Sequence, residues 1–81
     1  MQEVLIRLSS VEQVQRFVGT LTSLSGDFEL LSGQIVLDAR SLMGIFGLDL
    51  SNPVRLKVYH DTPEALAAIR PFLAETGGLK A

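Results

Sequence analysis

The sequence predicts a single two-layer α+β domain: four amphipathic strands covered on one face by helices. Two observations predict it. Segments of apolar–polar alternation interleave with segments of helical periodicity, in the order β-α-β-β-α-β-α. The chain, 81 residues over its full span 1–81, is also too short for more than one domain and long enough for only a small core.

Each element has its own reason. Glu3 to Leu8 alternates as a first strand, with Val4, Ile6 and Leu8 on one side and Glu3, Leu5 and Arg7 on the other. A helix starts after Ser9-Ser10, where Ser9 with Glu12, or Ser10 with Gln13, has capping-box spacing. Val11, Val14, Phe17, Val18, Leu21 and Leu24 form its apolar stripe, and Ser25-Gly26 ends it. Gly19 inside that helix costs about 1 kcal/mol against Ala, so close packing is the expected reason for it. Asp27–Leu31 and Gln34–Leu37 flank Ser32-Gly33 as a hairpin, with Phe28 and Leu30 inward.

Arg40 to Leu48 is too short and too apolar for an ordinary surface helix, and Ser41 is the expected N-cap within it. Ser51-Asn52-Pro53 is a turn. Val54 to Tyr59 then alternates, with Val54, Leu56 and Val58 inward and Arg55, Lys57 and Tyr59 outward. Thr62-Pro63-Glu64 opens the last helix with a cap, a proline at its first position and an early acid. Leu66, Ile69, Phe72 and Leu73 face inward, and Gly77-Gly78 stops the helix. Pro71 should divide that helix near Leu66 to Ala67, or the helix ends early.

Composition excludes several classes of function. With no Cys and one His, neither a disulfide framework nor a structural zinc site is expected, and no cofactor motif is present. Seven Lys and Arg are spread along a chain of net charge −2, which gives nucleic acid no basic patch. No apolar run approaches a membrane span, and the start Met1-Gln2-Glu3 is not that of a signal peptide, so a cytoplasmic protein is expected. The lone imidazole, His60, follows the last strand and reads as a solvent-side or structural histidine; His60-Asp61 lacks a nucleophile to serve. Gly44-x-x-Gly47 is too short for either glycine-rich phosphate signature.

Asp38-Ala39-Arg40-Ser41-Leu42-Met43-Gly44-Ile45-Phe46-Gly47-Leu48 carries the sharpest signal. It resembles the regulatory-serine segment of HPr, the small phosphocarrier family of the bacterial sugar phosphotransferase system. There a small residue, a basic residue and Ser are followed by an apolar residue, Met, Gly and further apolar residues. The resemblance extends to length and element order. It implies an antiparallel sheet in the order 1-4-2-3 with three helices on one face, the HPr-like open-faced sandwich.

The resemblance also implies a loss. Matching Phe17-Val18 to the Phe-Val of the family's first helix places Ser10, Glu12 and Gln13 where a carrier has its phosphorylated His, an Arg and a Pro. A phosphate ester on Ser10 would be too stable for onward transfer, and Glu12 would repel it. The pattern is that of Crh-type relatives, which lack the active His and keep the regulatory Ser.

The chain is therefore read as a non-catalytic regulatory or interaction domain, not an enzyme. Ser41 is its candidate phosphorylation site, and Arg40, Leu42, Met43 and Phe46 are its partner-binding residues. The implied partners are proteins, a Ser kinase or a transcriptional regulator. A phosphate on Ser41 would meet free helix amides and Arg40. From the residues alone, Ser41 reads as an ordinary N-cap and Leu42, Ile45 and Phe46 as the buried side of a short helix; the regulatory reading comes from the resemblance. Two other readings stay open: a carrier using His60 or Ser10, and a domain that keeps the fold with a partner unrelated to sugar transport.

Overall fold

The computed structural model describes residues 1–74. Its elements are β1 (Gln2–Ile6), α1 (Val11–Thr22), β2 (Phe28–Ser32), β3 (Ile35–Asp38), α2 (Leu42–Phe46), β4 (Val54–Val58) and α3 (Pro63–Ile69), followed by a 3₁₀ turn, Arg70–Phe72. The four strands form one antiparallel sheet in the order β1-β4-β2-β3. Three helices cover one face, which makes an α+β open sandwich with the anticipated strand order.

Alternation in the strands builds the core. Val4 and Ile6, Phe28 and Leu30, and Val54, Leu56 and Val58 are buried on the covered face. Val14, Phe17 and Leu21 of α1, Ile45 of α2, and Ala65 and Ile69 of α3 meet them from above. Phe72 closes one side, its ring edge-on to Phe17 at 5.3 Å between centroids. On the other face the register aligns two rows across the strands. One is Glu3, Lys57, Glu29 and Asp38; the other is Leu5, Arg55, Leu31 and Val36. Leu5 and Lys57 are half-buried within these rows, whereas Arg7, Arg55 and Tyr59 are exposed.

Several boundaries differ from the sequence reading, each for a physical reason. β1 stops at Ile6, not Leu8, because β4 begins only after Pro53 and its last partner in register is Ile6. The Arg7 N–H bonds instead to the Phe72 carbonyl at 2.8 Å. α1 ends at Thr22, with Ser23 as its C-cap, and Leu24 packs on the core from the loop that follows. Val11, expected on the apolar stripe, is 61% exposed at the first helical position. Gly19 has nothing within 4 Å of where a Cβ would stand, so close packing is not its reason.

The β2–β3 turn is Gly33-Gln34, one residue later than expected, since Ser32 pairs with Ile35. Positive φ at Gly33 (61°) and not at Gln34 is the pattern of a type II′ hairpin, which needs glycine at the first central position. Pro71 ends α3 rather than kinking it. The helix stops at Ile69 and the proline sits inside the 3₁₀ turn, where its missing N–H costs nothing. The chain then runs antiparallel beside β1: Leu73 bridges Ile6, and the Ala74 N–H donates to the Leu5 carbonyl at 3.0 Å. The expected Gly77-Gly78 stop lies outside the described residues.

Candidate functional site

The Ser41 segment is set up by the turn that leaves β3. Asp38 organises it twice over, its carboxylate accepting the Arg40 N–H at 2.8 Å and its carbonyl the Ser41 N–H at 2.9 Å. Ser41 is then extended (φ −88°, ψ 94°) and caps α2, its hydroxyl accepting the Gly44 N–H at 3.3 Å and its carbonyl the Ile45 N–H at 3.0 Å. Gly44 makes room for this: a Cβ there would stand 2.8 Å from the Ser41 Oγ. Ser41 is half-buried.

α2 divides its side chains unequally. Ile45 is fully buried, and Leu42 is half-buried and packs on the core. Met43 is 80% exposed and Phe46 40% exposed, so two large apolar side chains face outward on a five-residue helix. The segment thus has a half-buried capping hydroxyl at its start and two exposed apolar side chains along its length.

Arg40 has an engagement that local sequence does not reveal. Its guanidinium donates from Nε to the Leu21 carbonyl at 3.0 Å and from Nη2 to the Leu24 carbonyl at 2.7 Å, and lies 5.1 Å from the Phe28 ring centroid. α1 has no basic residue in its own last turn, and Arg40 supplies that charge from across the chain. Pairing with a phosphate on Ser41 would have to draw the guanidinium away from these carbonyls.

Ser10 and His60 stand at opposite ends of the sheet, because each follows one of two antiparallel neighbours, β1 and β4. The Ser10 hydroxyl is an N-cap, accepting the Gln13 N–H at 3.1 Å. Gln13 in turn accepts, at its Oε1, the N–H and hydroxyl of Ser9 at 2.7 and 2.8 Å, one residue before the cap, so the reciprocal bond of a capping box is shifted by one position. Glu12 pairs with Arg16 on the exposed side of α1. Beside them runs a shallow groove of about 330 Å³ between Ser10, Val11 and Leu50. His60 is exposed and backs onto Gly26.

A second concavity, of about 380 Å³, lies over the Asp27–Glu29 end of β2 and includes Val36, Asp38 and Tyr59. The Tyr59 hydroxyl donates to Glu29 Oε1 at 2.6 Å, a bond that raises the phenol above its ordinary 10.0. The signal that could have found this hollow is the outward alternation of Asp27, Glu29 and Asp38 on paired strands. Among the described residues no group of three or more His, Cys, Asp or Glu side chains could hold a metal ion, and no helix is long and apolar enough to cross a membrane.

The chain matches no family model, no curated protein and no solved structure.

Proposed function

We propose that the chain is an HPr-like, non-catalytic regulatory or protein-interaction domain related to the phosphoenolpyruvate-dependent sugar phosphotransferase system. Its contact surface is α2, and Ser41 is its regulatory phosphorylation site. The observation that carries the reading is the state of α2. A serine caps a short helix whose Met43 and Phe46 are exposed rather than packed. A helix made only to fill the core would turn those side chains in. The sheet order β1-β4-β2-β3, which the resemblance implied, supports the same reading.

The partner meets Met43 and Phe46 as an apolar patch and reads the charge state of Ser41 beside it. A Ser kinase is one such partner, and a transcriptional regulator is the other. The first turn of α1 supports the non-carrier part. Ser10 is engaged as a cap, and Glu12 adds negative charge where a carrier needs positive.

The test is incubation with an HPr Ser kinase and ATP, comparing the chain with its Ser41→Ala variant. Acid-stable phosphate on Ser41, absent from the variant, is expected. In parallel, phosphoenolpyruvate and the first phosphotransferase enzyme should leave no acid-labile phosphate. Stoichiometric acid-labile label that disappears in His60→Ala would replace this reading with that of a carrier.

A further inference from the structure

The two edges of the sheet are treated differently. Outside β1, Leu73 and Ala74 already take up backbone groups of Leu5 and Arg7 together with Phe72. Outside β3, the last strand in the order, no described strand lies. The register settles which groups point there. A two-residue turn makes Ser32–Ile35 the closing hydrogen-bonded pair, and the Ala39 N–H continues the ladder to the Phe28 carbonyl at 3.0 Å. Ile35, Leu37 and Ala39 therefore turn their backbone toward β2, whereas Val36 and Asp38 turn theirs to the free edge. The Asp38 carbonyl is engaged by the Ser41 N–H. The edge thus offers the Gln34 carbonyl, both groups of Val36, and the Asp38 N–H.

Side chains add to this. Ile35 is 51% exposed and Val36 55% exposed, on opposite faces of the same edge strand. Gly33 to Leu37 contains no charge and no proline. Edge strands are ordinarily guarded by shortness, charge, a proline or a bulge; β3 is short and ends in Asp38, but from Gly33 to Leu37 its apolar edge is unguarded and can template further pairing.

We propose that β3 pairs antiparallel with β3 of a second copy of this chain, about a two-fold axis at Val36, so that the two sheets become one. The offered groups are self-complementary in that register. Val36 and Val36 of the second copy exchange both bonds. On either side, the Asp38 N–H meets the Gln34 carbonyl. Ile35 comes beside Leu37 of the second copy on the helix-covered face, and the two Val36 side chains meet on the open face.

Charge selects the same register. Each Asp38 stands opposite a neutral Gln34, and the two Asp38 residues lie about 14 Å apart along the strands, beyond the Debye length at physiological salt. An axis at Asp38 would set two carboxylates side by side and would need a carbonyl already engaged. An axis at Gln34 would pair only the turn. A contact of this size falls well below a standard interface, so the dimer forms at high concentration and dissociates on dilution.

Sedimentation velocity from about 10 μM to about 1 mM tests the proposal. A concentration-dependent dimer is expected. Val36→Pro removes the outward N–H while sparing every β2–β3 bond, and should yield a monomer with an unchanged circular dichroism spectrum. Val36→Lys, at an exposed position, sets two cations at the axis and should raise the dissociation constant at least about tenfold. Should the proline variant not fold, the lysine variant decides. A wild-type chain that is monomeric at about 1 mM overturns the proposal, as does a dimer that Val36→Lys leaves undiminished.

Discussion

Gly26 lies so close to His60 that a Cβ on Gly26 would stand 2.6 Å from the His60 Cβ. The two residues belong to different turns, one leaving α1 and one leaving β4. They meet because the Tyr59 N–H donates to the Asp27 carbonyl at 3.1 Å and draws the turns together. Gly26 also has φ 94°, a conformation that side chains rarely adopt. Gly26→Ala should therefore cost about 2–3 kcal/mol, read by thermal unfolding. Repeating it in a His60→Gly background separates the two causes. The collision is relieved there and the backbone strain remains, so part of the loss, and not all of it, should return. His60→Ala should not rescue, since it keeps the colliding atom.

Gly19 is the opposite case. It is exposed, in the interior of α1, with nothing within 4 Å of a Cβ. Gly19→Ala should raise stability by about 0.5–1 kcal/mol through the more restricted unfolded chain and better helix propensity. A lower melting temperature would contradict the open space around Gly19 and show that a Cβ there meets a neighbour in the folded chain.

Arg40 ties the start of α2 to the end of α1. Arg40→Ala removes two hydrogen bonds to the Leu21 and Leu24 carbonyls and the contact with Phe28, and should cost about 1–3 kcal/mol. Arg40→Lys should recover only part, because an ammonium cannot repeat the fork over an aromatic ring. Hydrogen exchange should localise the damage to the last turn of α1 and the loop to β2.

Ser41→Asp should leave the fold intact, with stability changed by about 1 kcal/mol or less, because aspartate is itself a good N-cap. Gly44→Ala should be the more harmful change, since its methyl displaces the capping hydroxyl. Met43→Ala should leave the melting temperature unchanged and weaken partner binding, its side chain being 80% exposed. An unfolded Ser41→Asp protein would leave Ser41 as a cap alone.

Tyr59 donates to Glu29, so its neutral form is favoured in the folded state and its titration is raised above 10.0. The sign follows. The bond's contribution is present in full below the unfolded phenol's pKa and fades as pH rises through the folded one. Absorbance titration of this single tyrosine should give an apparent value above 10.0 that falls toward it in Glu29→Gln.

What the sequence made legible was local. Val54, Leu56 and Val58 announced a strand, and Ser10, Ser41 and Thr62 announced helix starts. In each case the signal and its consequence lie within four residues. What stayed hidden was long-range. Nothing near Arg40 says that its guanidinium reaches Leu21 and Leu24, nor does anything near Gly26 point to His60. Val11 misled because periodicity marks a face of a helix without saying where the neighbouring layer ends. The Ser41 cap was legible, but the residues alone left Leu42 and Phe46 open between a buried and a partner-facing side, since a short apolar helix reads the same whether it is covered or bare; Phe46 is exposed and Leu42 half-buried.

The strap formed by Phe72, Leu73 and Ala74 has a consequence for how the chain comes into being. Every segment that hydrogen-bonds to β1 lies at or beyond Val54. As the chain leaves the ribosome, β2 and β3 can zip into a hairpin at once, and α1 can wind, but β1 has no strand to join. The first strand of this sheet to be synthesised is the last to be enclosed. Its apolar Val4 and Ile6 must wait until β4 and the Phe72–Ala74 strap follow, which makes β1 the strand of this sheet that depends most on staying unengaged by other nascent chains.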